Sequence, residues 1–187
     1  MTLAELLTGL ATVILGLAVS NITSSLHRLA LTGRKVRWAP EPVLLTTLLI
    51  MILVNVWLGF WAIRDAASVN EGRTLLTLVQ LMTLYFAAAS CLPEPDRIPA
   101  EGIDLKVYYY ETRWLSYGAM AFSLALISVR ALVTGQGFTF VDWFLSGGFP
   151  IALYLLLCLV RKRWIHLAVL LFVNVAFGYQ VITTTHH

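Results

Sequence analysis

Charge is scarce in this chain. Charged residues make up 12% of its 187 residues and apolar residues 59%, whereas a soluble domain needs roughly 25% charged residues to cover its surface. That imbalance argues against a soluble globular protein. Carboxylates are scarcer still within the apolar segments. Glu41, Glu94, Asp96, Glu101, Asp104 and Glu111 fall toward one set of segment ends, Asp65, Glu71 and Asp142 toward the other, and Glu5 at the start of the first segment. Proton-coupled transport commonly uses a carboxylate or histidine inside the membrane. The distribution weighs against it, and against a two-carboxylate hydrolase. Cysteine is limited to Cys91 and Cys158, with no CxxC spacing, which argues against a disulfide scaffold. No GxGxxG, Walker loop, HExxH, GxSxG, TVGYG filter or CxxCH occurs. No catalytic residue is assigned, and the reading leans away from an enzyme.

Long uncharged runs fill the rest. Six apolar segments are expected at about residues 4–31, 42–63, 74–92, 114–133, 142–160 and 164–184. A helix of about 20 apolar residues crosses the hydrocarbon core, and only a helix or a closed barrel satisfies its backbone there. Barrel strands would alternate over roughly ten residues; these segments do not. The expected fold is an all-α bundle of six transmembrane helices forming a single domain. The connection at 93–113 is the longest, and Asp104 to Glu111 within it can begin an interfacial helix.

The net charge of +3 belongs to orientation rather than to nucleic acid. Arg28, Arg34, Lys35, Arg37, Arg97, Lys106, Arg113, Arg161, Lys162 and Arg163 flank one face of the six segments; Arg64, Arg73 and Arg130 flank the other. Cytoplasmic connections collect Lys and Arg. The first set is therefore cytoplasmic, and both termini lie outside. The first segment has no basic leader and no cleavage site of the AxA kind, so it reads as retained. Arg28 to Gly33 and Arg130 to Gly135 both read Arg-x-x-x-Thr-Gly. That spacing suggests two halves of three segments in opposite orientation, a transporter habit.

Polar and small residues within the segments supply the candidate sites. Gly16, Ser20 and Ser24 repeat every fourth residue and share one helix face, with Gly9 ahead of them; such a face suits close helix packing. Gly147, Gly148 and Pro150 should bend or unwind the start of the fifth segment. Asn21, Asn55, Gln80 and Asn174 are amides that need partners in hydrocarbon. They either join helices or line a path. His27, His166, Cys91 and Cys158 are expected at one membrane depth, where convergence would make a soft-metal or haem site. Their spacing matches no compact zinc motif. No cofactor is expected otherwise. Tyr108, Tyr109, Tyr110, Glu111, Arg113 and Trp114 form an aromatic belt or a lip for a headgroup. His186 and His187 receive no role.

VILGLAVSNITSSLHRLALTG, the proline-rich acidic loop and YYYETRWLSYG together resemble a type of small multi-pass bacterial protein. The resemblance implies the bacterial cytoplasmic membrane and no particular activity. The leading functional expectation is a transport or channel-like protein with a path lined by mid-segment amides. The alternatives are a non-catalytic membrane partner or lipid-binding module, and a haem- or metal-binding redox protein. Expected partners are membrane lipids and a second copy of the chain, not nucleic acid.

Overall fold

A computed structural model describes residues 3–32, 36–62, 71–94, 102–133 and 144–184. It is all-helical apart from two short strands. The helices are α1 (Leu3–Thr32), α2 (Pro40–Ala62), α3 (Glu71–Ser90), α4 (Leu105–Val133), α5 (Phe149–Leu159) and α6 (Arg163–Thr184). Strands β1 (Val36–Arg37) and β2 (Ile103–Asp104) lie between them in sequence. Gly33, Arg34, Lys35, Arg64, Arg97, Thr134, Gly135, Trp143, His186 and His187 lie outside the described residues. Neither Arg-x-x-x-Thr-Gly ending is therefore seen whole.

Local chemistry fixes the element ends. Pro40 opens α2, where its missing N–H is no loss. Asp104 caps α4: its Oδ1 accepts the Lys106 and Val107 N–H groups at 2.9 and 3.3 Å, satisfying first-turn donors. The candidate interfacial helix is simply the first two turns of α4, which continues unbroken through the fourth apolar segment. β1 and β2 pair in parallel, Val36 with Ile103 and Arg37 with Asp104. This short ladder ties the turn after α1 to the entry of α4. Before α5, Phe144–Gly148 forms a π-helical turn. A Cβ on Gly147 would sit 2.6 Å from Ser128 Oγ, so glycine lets this turn approach α4 closely.

α1 packs against α2 and α3, α3 against α4, α4 against α5, and α2 against α6. The two sequence halves pack differently, for α4 leans on α3 and α5, whereas α1 leans on α2 and α3. The core is built from Ala11, Leu15, Ala18, Ile22, Leu48 and Leu81 and their neighbours. Outward faces carry many large apolar side chains, among them Leu17, Trp61, Phe122, Phe172 and Val175. Two helical stretches, Glu5–Leu31 and Pro40–Trp61, are long and apolar enough to cross a membrane; Thr74–Ser90 and Phe149–Leu159 are apolar but shorter.

Gly9, Gly16, Ser20 and Ser24 are exposed, and nothing lies within 4 Å of a Cβ placed on Gly9 or Gly16. α1 instead buries Ala11, Ile14, Leu15, Ala18 and Ile22, because larger apolar groups fill that interface. The small-residue stripe therefore packs no helix within the described chain. Glu41 stands in the first turn of α2, as its place at a segment end implies, and its side chain is fully buried.

Candidate functional site: an amide-walled cavity and a buried tyrosine–histidine chain

A cavity of about 450 Å³ opens between α2, α3, α4, α5 and α6. α1 contributes nothing to it. Its walls are chiefly Ile, Leu, Val and Phe side chains, interrupted by Asn55, Gln80, Ser123, Tyr154 and Gln180. No charged side chain lines it among the described residues. Asn55 on α2 and Gln80 midway along α3 both line the cavity, and Asn55 is exposed. Among the described residues neither amide has a hydrogen-bond partner. Gln80 and Ser123 are nonetheless buried. A buried amide without a partner costs free energy, and a cavity this size accepts a small organic molecule.

The other two candidate amides sit elsewhere. Asn174 Nδ2 donates to Leu44 O at 3.1 Å and to Leu170 O at 2.8 Å. It fastens α6 to α2, and its buried Oδ1 has no partner. Asn21 is half-buried on α1, away from the cavity walls.

A second polar region lies at the loop end of the bundle. α5 ends at Leu159, and Val160 turns extended. Its carbonyl is thereby released from the helix. Arg113 Nη1 donates to that carbonyl, and His166 Nε2 lies 2.8 Å from it. A carbonyl only accepts, so Nε2 carries the proton and Nδ1 is the acceptor. Tyr109 Oη lies 2.7 Å from His166 Nδ1 and 2.7 Å from Tyr117 Oη. Tyr109 therefore donates to His166, and its oxygen accepts from Tyr117. Tyr117 stacks on Tyr154 with ring centroids 6.2 Å apart, and Tyr154 is a cavity wall. A hydrogen-bonded chain thus runs from the α5–α6 turn to the edge of the cavity.

Glu41 stands beside this chain. Its Oε1 accepts from Arg163 Nε at 2.6 Å, which joins the first turn of α2 to the first turn of α6. Its Oε2 is buried without a partner, as is the Tyr110 hydroxyl. Burial raises the Tyr109 and Tyr110 phenols above their ordinary range, and the Glu41 carboxylate adds to the rise on both. Tyr109 therefore stays protonated at neutral pH and remains a donor.

The remaining candidates do not converge. His27 is exposed on α1. Cys91 is buried beside Thr46, 3.9 Å from its Oγ1, and donates to Ala88 O at 3.1 Å. His166 is spoken for at both nitrogens. Among the described residues no three His, Cys, Asp or Glu side chains gather to hold a metal ion. Nor do the tyrosines form an open lip. Tyr109 and Arg113 are buried inside the bundle, and Tyr108 donates to Leu92 O at 3.0 Å, tying α4 to the end of α3. Glu111 and Trp114 alone of the six are exposed. The sequence did carry one sign of the inward turn: Tyr109, Arg113 and Tyr117 recur every fourth residue on one face of α4.

No family model, curated protein or solved structure matches this chain.

Proposed function

We propose that this chain is an integral membrane bundle that binds, and passes through its interior, a small uncharged molecule with a largely apolar body and one polar end. The observation that carries the reading is the cavity in which, among the described residues, Asn55 and Gln80 have no partner and no charged side chain lines the wall. Unpaired amides favour a ligand that supplies a donor or an acceptor. A charged ligand would lose its hydration with no counter-charge in return. The reading belongs to the transport class but not to ion conduction.

The membrane setting is part of the same proposal. All six apolar segments cross, the fifth with the π-helical turn ahead of α5 included, the loop end with Arg113, Arg161, Lys162 and Arg163 faces the cytoplasm, and both termini lie outside. The exposed Leu, Phe and Trp side chains of α1, α2, α3 and α6 then meet lipid rather than water. The bacterial cytoplasmic membrane is the proposed location. The exposed Gly9, Gly16, Ser20 and Ser24 face is where a second copy would pack.

Competition in lipid nanodiscs tests the reading. Radiolabelled octanamide is bound to the wild-type chain and challenged with unlabelled octanamide, octanoate or octylammonium. Octanamide should displace the label at concentrations at least tenfold below either ion, as about 1.4 kcal/mol of discrimination requires. Equal displacement by all three, or none by octanamide, would refute the proposal.

A further inference from the structure

The tyrosine–histidine chain has a direction. His166 must be neutral for every link to close as described: Nε2–H to the Val160 carbonyl, Tyr109 O–H to Nδ1, Tyr117 O–H to Tyr109. A proton added at Nδ1 turns that nitrogen into a donor. Tyr109 must then accept from it and swing its own proton toward Tyr117. Tyr117 can no longer donate to Tyr109, and its hydroxyl must find another acceptor. Tyr117 is fully buried and stacked on Tyr154, so the disturbance falls on a wall of the cavity.

We propose that His166 is a proton-binding site whose occupancy is relayed through Tyr109 and Tyr117 to Tyr154 at the cavity. One proton enters from the loop side and forms an N–H bond at Nδ1. The tyrosine protons reorient without leaving their oxygens, and the site gains one positive charge. The groups around His166 suit a reversible charge. From α4, Arg113 opposes it, with Nη1 3.4 Å from Nε2; Tyr109, Tyr110 and Tyr117 flank the ring with centroids 5.5, 5.3 and 6.4 Å away. From α2 comes the buried carboxylate of Glu41, one of whose oxygens has no partner. From α6 itself, Arg163 holds the other Glu41 oxygen. From α5, Tyr154 stacks on Tyr117, and Cys158 is half-buried on the same helix. A buried imidazole between an arginine and a carboxylate has both a reason to lose a proton and a reason to gain one.

The proposal rests on the cavity reading only in its last step, from Tyr154 to ligand. Its test therefore uses no ligand. The chain, labelled with ¹⁵N-histidine and ring-¹³C-tyrosine, is titrated by NMR in nanodiscs from about pH 8 to about pH 5, the range over which histidine charge changes. H166Q and Y154F assign the two signals. The expected result is a neutral His166 protonated on Nε2 at the upper end, and a Tyr154 ring signal that moves with the His166 midpoint. In Y109F, His166 should still titrate while the Tyr154 movement is lost. If Y109F does not fold, Y117F keeps the Tyr109–His166 contact and should lose the Tyr154 movement alone. A His166 that never takes up a proton in this range, or a Tyr154 signal that stays flat through its titration, overturns the proposal. Failure of the cavity reading would show separately, as absent octanamide competition with the co-titration intact.

Discussion

At the loop end, Tyr109, Tyr117, His166 and Arg113 each meet a partner inside the chain. Halfway along the bundle, Asn55 and Gln80 meet none among the described residues and face a void. Both regions are polar inclusions in an apolar bundle, so polarity does not separate them. Closure does. Where donors and acceptors satisfy each other, the group adds rigidity and fixes how α4, α5 and α6 meet. Where they do not, the unmet capacity is available to a ligand. The two regions touch at one place, the stacked pair Tyr117–Tyr154.

Substitutions that break one region should leave the other alone. The largest effect is expected from Tyr109→Phe, which strands both Tyr117 Oη and His166 Nδ1. Each buried unpaired group costs about 1–3 kcal/mol, so equilibrium unfolding in lipid should show a loss of about 2–6 kcal/mol. The adjacent Tyr110→Phe sharpens the contrast, because it removes a hydroxyl that has no partner. It should leave stability unchanged or slightly raised. Gly147→Leu comes next. Its side chain would enter the space held by Ser128 Oγ, and overpacking of this kind costs about 1–3 kcal/mol; a lowered thermal midpoint in nanodiscs checks it.

Gln80→Leu should separate stability from binding. Replacing an unpartnered amide by an apolar side chain is expected to cost under about 1 kcal/mol of stability, while octanamide affinity falls roughly tenfold as one hydrogen bond is lost. An affinity that holds while stability drops would make Gln80 a packing residue instead. The smallest effect is expected from Gly16→Leu. Open space surrounds that position, so unfolding of the isolated chain should shift by no more than about 0.5 kcal/mol. Any change should appear in oligomeric state, measured by subunit counting in nanodiscs.

The helices were legible from sequence because apolar run length is a one-dimensional signal, and Gly147, Gly148 and Pro150 marked locally the irregular stretch that forms a π-helical turn before α5. The cavity was half legible. Asn55 and Gln80 stood out as amides in apolar runs, but so did Asn21 and Asn174, and only helix adjacency distinguishes a wall residue from a clasp between α2 and α6. The tyrosine–histidine chain was hidden for the same reason. Tyr109 and His166 are 57 positions apart, and a tyrosine near an apolar segment's end reads equally well as an interfacial anchor. The burial of Glu41 was hidden because distance from a segment end says little about burial when another helix, here α6 with Arg163, closes over it.

Photocrosslinking tests the central claim most directly. A diazirine-bearing octanamide is irradiated with the wild-type chain in nanodiscs and the modified residues are mapped. Adducts on Met120, Leu153 or Phe177, suppressed by excess octanamide and lost in Gln80→Leu, are the expected result. Adducts confined to outward residues such as Phe122, Leu155 and Val175, and indifferent to competitor, would mean that the amide-walled cavity binds nothing of this chemistry.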